Sequence, residues 1–211
     1  MRIGKRLFAW MYNTCLSSAD EPGPADSFTR EIRAPLVGRA AGDVLEIGAG
    51  DGGNLPYIPK DVHLTLLDAN PYMLRYLRAR ATRLNLAACR ALAAGAERLP
   101  FPSASFDTIL SIHVLCSVAD QESVLGEIRR VLRPGGTFLF LEHVAAPHHT
   151  NTYRWQRVVN PAWRVIGNGC HLTRDTGAAI RAAGFREVAI DDLLVPSIRI
   201  TSPHIVGWAV T

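Results

Sequence analysis

Cysteine is scarce and scattered in this chain. The 211 residues hold four, Cys15, Cys89, Cys116 and Cys170, with no C-x-x-C pair and no His/Cys spacing that suits zinc. That argues against a disulfide-stapled secreted scaffold and predicts reduced thiols in a cytoplasmic protein without a metal. Long apolar runs are also missing. No stretch approaches the roughly 20 residues that cross a bilayer. The basic N-terminus is not followed by a secretory apolar core and a small-residue cleavage site. Charge of one sign is not concentrated: the net charge is +4 with Lys and Arg dispersed, which gives no nucleic-acid surface. There is no internal repeat and no low-complexity segment. What the chain does have is 48% hydrophobic and 20% charged residues, in a length that supplies one domain with a substantial core.

The stretch Val44 to Asn54 organises that domain. Val44-Leu45-Glu46-Ile47 reads as a buried strand. It breaks into Gly48-Ala49-Gly50-Asp51-Gly52-Gly53, where glycine lets the backbone turn sharply and approach a ligand. A second strand, His63 to Asp68, ends in an acid placed where a ribose would lie. Gly48-x-Gly50-x-x-Gly53 with Asp68 formally matches a dinucleotide fingerprint. Glu46 argues otherwise. A carboxylate beside the turn repels a pyrophosphate and suits a cationic ligand, such as the ammonium and sulfonium of S-adenosylmethionine.

The remaining pattern alternates strand and helix. Met1 to Leu16 is amphipathic, with Ile3, Leu7, Trp10, Met11 and Cys15 at helical spacing and Arg2, Lys5 and Arg6 alongside. It fits a helix packed on the domain, a lid over the cleft, or a peripheral membrane contact. Ala19 to Ala25 is a Pro/Gly/acid break, and a helix is expected over Ser27 to Val37. Asn70-Pro71 starts a helix running to about Leu84, Cys89 to Ala93 is a weak strand, and Ser105 to Ser111 is the fourth strand. Asp120 caps a helix that Arg133-Pro134-Gly135-Gly136 ends before a strand over Thr137 to Val144. Ala145 to Cys170 reads as irregular, broken by Pro147 and Pro161. A helix from Thr173 or Asp175 to Gly184 and two strands, Glu187 to Leu194 and His204 to Val210, finish the chain. The expectation is an α/β, Rossmann-like, seven-stranded and mostly parallel sheet with helices on both faces and a C-terminal antiparallel hairpin at its edge. Residues 1–42 form an N-terminal helical lid segment and 43–211 the catalytic domain, with an acceptor-site insertion at about 145–174.

The acid-x-Gly-x-Gly-x-Gly series Glu46, Gly48, Gly50 and Gly52 resembles the first motif of the class I S-adenosylmethionine-dependent methyltransferases. The resemblance implies that Asp68, with Ala69 beside it, receives the ribose hydroxyls; a helix cap is the simpler role for Asp68. Asn54 is placed to reach the amino-acid end of the cofactor or to cap the short helix after the turn. Ala96-Glu97 fits the family's adenine clamp, although Glu97 also reads as a solvated turn acid. Ser111, Ile112 and His113 follow strand four at the carboxyl edge, where open α/β sheets bind ligands.

A narrower similarity rests on Val114-Leu115-Cys116-Ser117-Val118, Arg130 to Gly136, Glu142-His143-Val144-Ala145-Ala146, Trp155-Gln156, Pro161-Ala162-Trp163, Gly169-Cys170-His171-Leu172-Thr173-Arg174 and Pro203-His204-Ile205-Val206-Gly207. These resemble the methyltransferase-like protein 7 group of thiol S-methyltransferases. Two departures stand out: the group carries a hydrophobic membrane-anchoring N-terminus, and His113 replaces another residue. The implied activity is transfer of a methyl group from S-adenosylmethionine to a small, largely apolar thiol. N- or C-methylation of a lipid-like or quinone-like acceptor, and a cofactor-binding regulator without catalysis, are the alternatives. His143 is the first candidate for base or orienting group and His113 the second; either also reads as a hydrogen-bonded structural residue. Trp155, Trp163, Cys170 and Arg174 fall in the acceptor segment, where aromatics suit an apolar ligand or simple core packing.

Overall fold

The computed structural model describes residues 4–16, 24–86 and 89–211, with backbone alone at 15, 16 and 24–29. The thiol of Cys15, the first three residues of the expected N-terminal helix and the expected break as far as residue 23 lie outside the described residues. Helix α1 covers Lys5–Met11 and continues into a widened turn over Tyr12–Leu16. Helix α2 covers Pro24–Val37 and opens earlier than expected.

Seven strands form one sheet: β1 (Asp43–Ile47), β2 (His63–Asp68), β3 (Arg90–Ala93), β4 (Phe106–Ile112), β5 (Leu132–His143), β6 (Glu187–Leu194) and β7 (Pro203–Val210). Their order is β3-β2-β1-β4-β5-β7-β6. The first five are mutually parallel, and β7 runs antiparallel to both β5 and β6. The expected hairpin is present. β7 is its inner strand and β6 the edge.

Alternation along the strands assigns side chains to two faces. Leu45, Ile47, Leu67, Ile109, Phe138 and Phe140 pack with Val124, Leu125 and Ile128 of α4 (Gln121–Val131) and with Ile180 of α6 (Thr176–Ala182). Val44, Leu64, Leu66, Leu110, Leu139 and Leu141 face Leu36 and Val37 of α2, and Leu74 and Leu77 of α3 (Met73–Arg83). Both faces are thereby covered, as a parallel sheet requires. Asp120 caps α4 as expected, accepting from Glu122 N and Ser123 N. Asn70 instead closes a turn, its Oδ1 accepting from Tyr72 N at 3.1 Å, and α3 begins at Met73.

Two expectations about local structure are corrected. Strand β5 starts at Leu132, which pairs with Phe106 before a register shift, so Arg133 to Gly136 lie within the strand. Residues expected to be irregular form α5 (Asn151–Ile166), a helix with Pro161 inside it. The Thr150 hydroxyl caps α5 by accepting from Tyr153 N at 3.2 Å. Gln156, fully buried, anchors it: its Oε1 accepts from Ala146 N at 2.8 Å and its Nε2 donates to Ile200 O at 2.9 Å. Such tertiary anchors outweigh the missing N–H of one internal proline.

Candidate functional site

The carboxyl ends of β1, β2, β4 and β5 meet at one edge of the sheet and border a cavity of about 730 Å³. Gly48 leaves β1 at φ +60°, and a β-carbon there would lie 2.5 Å from Val114 Cγ2, so only glycine fits. Gly50 N donates to Asp68 Oδ2 at 2.9 Å, and Asn70 N donates to Asp68 Oδ1 at 2.7 Å. Asp68 therefore ties the glycine turn to the loop after β2. Burial pushes its carboxyl up, against the pull of the Asn70 and Gly50 N–H groups and the Lys5 charge.

Glu46 stands behind this turn, 1% exposed. Its Oε1 accepts from Asn54 Nδ2 at 2.6 Å, while its Oε2 and Asn54 Oδ1 are buried without a protein partner. Burial raises the carboxyl to about 7, opposed by the Asn54 bond and the Arg33 charge. Of the residues singled out from sequence, Gly48, Gly50, Asn54, Asp68, Ala69, Ala96, Glu97, Ile112, His113 and His143 line the cavity. Glu46, Gly52 and Ser111 do not. A β-carbon on Gly52 would meet Leu55 and Leu77, so that glycine serves the packing beneath the turn. Glu97 Oε1 accepts from Ala119 N at 2.9 Å and joins two walls of the cavity.

Ser111 points to a residue whose role the sequence does not reveal. Its Oγ donates to Glu142 Oε1 at 2.7 Å, and the same carboxyl accepts from Val114 N at 3.1 Å and Cys116 N at 3.4 Å. Glu142 is fully buried, and burial raises it to about 7 against those hydrogen bonds. One acid thus fixes the turn that carries His113, Val114 and Cys116 into the cavity. The available signal is an acid at the end of the apolar run Phe138-Leu139-Phe140-Leu141.

The other end of the cavity holds three histidines. His113 has φ +58°, uncommon for a residue with a β-carbon, and its Nε2 is buried without a partner. Burial, then His204, Arg33 and His143, holds its ring well below the ordinary value. His204 lies 5.0 Å from the His113 ring and 5.5 Å from the His143 ring, edge to face with both. Burial lowers His204 to about 4, against its contact with the Ser202 carbonyl. His143 Nε2 is 3.4 Å from Ile200 O, and its Nδ1 is buried and partnerless. Strand register puts His143 directly opposite His204. Cys116, Cys170 and Trp163 complete this end, while Val195, Ser197 and Thr201 extend the rim from the β6–β7 connection.

Helix α1 borders the same cavity through Phe8, and Tyr12 follows it there. Lys5 Nζ donates to Ala69 O at 2.6 Å, and Asn70 Nδ2 donates to Lys5 O at 2.8 Å, which fastens α1 to the loop after β2. Trp155 is 61% exposed and outside the cavity. Arg174 donates to Leu115 O at 2.8 Å and bonds the backbone beneath the cysteines.

Residues 45–140 match the family model described as a methyltransferase domain. Thiol S-methyltransferase TMT1A from Homo sapiens is 39% identical over 170 residues, covering 79% of this chain and 70% of the relative. Thiol S-methyltransferase TMT1B from Homo sapiens is 38% identical over 192 residues, covering 88% and 79%. Among solved structures, geranyl diphosphate C-methyltransferase from Streptomyces coelicolor A3(2), in complex with S-adenosyl-L-homocysteine, superposes with a TM-score of 0.69. That likeness covers 87% of this chain and 78% of the other at 15% identity, and speaks to the fold.

Proposed function

This chain belongs to the thiol S-methyltransferase family, and from that premise we propose that it transfers the methyl group of S-adenosylmethionine to a small, largely apolar thiol. The observation that carries this reading is a single cavity with a hydrogen-bonding end at Asp68 and Asn54 and a histidine- and thiol-lined end at His113, His143 and Cys170.

The residues present fit the cofactor. Asp68 accepts one N–H on each oxygen and keeps lone pairs for the two ribose hydroxyls. Asn54 Oδ1, buried and unpartnered, is an acceptor for the ammonium of the methionine moiety, and Glu46 holds Asn54 in place from behind. Gly48 and Gly50 keep backbone, not side chain, against the ligand. Ala69, Ala96, Glu97 and Ile112 are the walls assigned to the nucleoside, and Ser111 acts through Glu142 on the turn beyond. When bound, the cofactor supplies an electrophilic methyl group on a sulfonium.

The chain must then bring a nucleophile into line. A thiol with a pKa near 8.5 needs only mild help to ionise. His143 is assigned the proton, because its Nδ1 is buried without a partner at the acceptor end. His113, held neutral by burial, orients the acceptor. Residues 1–42 act as a lid segment through α1, and about 145–174 supply the acceptor wall through Trp163 and Cys170. An aromatic aminothiol offered with methyl-labelled cofactor tests the reading. Label is expected on sulfur, and label on nitrogen alone would overturn it.

A peripheral membrane contact is the second reading for the cavity rim. Leu7 and Trp10 of α1, Trp155, Val158 and Ile166 of α5, and Leu194 and Ile198 near the β6–β7 connection are all exposed apolar side chains on elements that border the cavity or flank its rim. Lys5 and Arg6 adjoin the first pair. No helix among the described residues is long and apolar enough to cross a membrane. Co-sedimentation with anionic lipid vesicles is expected if these side chains meet lipid, and Trp10→Ser with Trp155→Ser should abolish it.

A further inference from the structure

Methyl transfer as described above gives the two cysteines of the acceptor end no covalent role. Cys116 lies on the turn after β4, and Cys170 follows α5. The fold brings them together through a specific bond: His171 N donates to Cys116 O at 2.8 Å, fastening the residue after Cys170 to Cys116 itself. That bond sets the two cysteines side by side, both are free, and both line the cavity. A β-carbon on Gly167 would sit 3.0 Å from Trp163 Nε1 and 3.2 Å from Cys170 Cβ, so indole and cysteine close over a position that has no side chain.

The two sulfurs have unequal settings. Cys170 shares this end of the cavity with Cys116, His143 and Trp163, and is half-buried. Cys116 is 3% exposed, near the Glu142 carboxyl, with its Sγ 3.4 Å from Ser117 Oγ. The Cys116 contact and the His143 side chain pull the Cys170 thiol down despite burial, whereas the Cys170 contact and burial push Cys116 up. A more accessible attacking thiol beside a more deeply buried resolving thiol is the division of roles that thiol–disulfide exchange needs.

We propose that Cys170 and Cys116 are a redox-active dithiol in the acceptor end of the cavity, which reacts with a low-molecular-weight disulfide, the oxidised form of a small thiol. The Cys170 thiolate attacks one sulfur of RSSR. A Cys170–S bond forms, the S–S bond breaks and RS⁻ leaves, taking the Cys116 proton. The Cys116 thiolate then attacks the Cys170 sulfur, releasing the second RS⁻, which is protonated from solvent. The pair gives up two electrons, RSSR takes both, and the products are two RSH and a Cys116–Cys170 disulfide. Excess RSH reverses the sequence. On the thiol-methylation reading, which this deepens, the closed disulfide also stops turnover, so the enzyme works only where its acceptor pool is reduced.

The test uses the full chain treated with bis(2-hydroxyethyl) disulfide, alkylated with iodoacetamide, digested and read by mass spectrometry before and after phosphine reduction. The expected wild-type product is a Cys116–Cys170 linked peptide that the phosphine removes. Cys116→Ser is expected to stop with a hydroxyethylthio group on Cys170, and Cys170→Ser to leave Cys116 unmodified. Alkylation of both residues as in untreated protein, a wild type that halts at a mixed disulfide, or an adduct formed first on Cys116 would each overturn the proposal. The mass readout needs no methyl transfer. If the chain methylates no thiol, the cross-link still forms and only its effect on turnover disappears.

Discussion

Glu142→Gln should change how the stability of this protein depends on pH. The Glu142 carboxyl is fully buried and raised from 4.5 to about 7, chiefly by desolvation. Below pH 4.5 folded and unfolded chains both hold the proton, and the group contributes nothing to pH dependence. Between 4.5 and 7 the unfolded chain releases it while the folded chain keeps it, so stability falls as pH rises. Above 7 both states are ionised and the loss levels off. At about 1.4 kcal/mol per pKa unit, the full loss is on the order of 3 kcal/mol. Glutamine has nearly the same shape and does not titrate. It keeps an acceptor for Ser111 Oγ and Val114 N but sets its amide donor against Cys116 N, a mismatch of about 1–3 kcal/mol that does not vary with pH. The wild type is therefore expected to lead at pH 5 and to lose about 3 kcal/mol of that lead by pH 8. Urea unfolding of both proteins at unit steps across this range reads the difference. Parallel stability curves would mean that the carboxyl is ionised throughout, and would refute the account of how this acid is buried.

Asp68→Ala should weaken binding of S-adenosylmethionine and S-adenosylhomocysteine by about 1–3 kcal/mol through lost charge-assisted bonds, measured by calorimetry; unchanged affinity removes the ribose assignment. His143→Ala should lower turnover by about 10²–10⁴-fold with cofactor affinity retained, the signature of a lost proton acceptor; intact turnover makes His143 structural. Deleting residues 1–16 should leave a cooperatively folding core with reduced turnover, since Phe8 and Tyr12 border the cavity; full activity in the deletion would exclude a lid.

The glycine turn and its acid partner, the end of the cavity proposed for the cofactor, are legible in the sequence because their requirements are local. A glycine turn after a buried strand and an acid at the end of the next strand are sequence features, and the sheet brings Gly50 N to Asp68 Oδ2 with no other help. The alternation of strands and helices likewise announced the sheet. The acceptor end was harder to read, because it is assembled by register. His143 meets His204 only because β5 pairs antiparallel with β7, a pairing that the local sequence around either histidine does not announce. Cys116 is brought beside Cys170 by one backbone bond between distant segments, His171 N to Cys116 O. The role of Glu142 is not visible locally because its partners are an N–H pair and a hydroxyl on another strand and its turn. Helix α5 was hidden by Pro161, whose local preference is overridden by the Gln156 anchor and the Thr150 cap.

The central claim is that one cavity presents a small thiol to the methyl group of S-adenosylmethionine. The most direct measurement is initial-rate transfer of labelled methyl to matched apolar thiols, amines and phenols at pH 6 to 9, with S-adenosylhomocysteine counted alongside. The account predicts one methyl thioether per S-adenosylhomocysteine, a thiol rate well above the others, and a rise with pH towards the acceptor pKa of about 8.5. Turnover of an amine, phenol or carbon acceptor with no methyl thioether formed at any pH would contradict it.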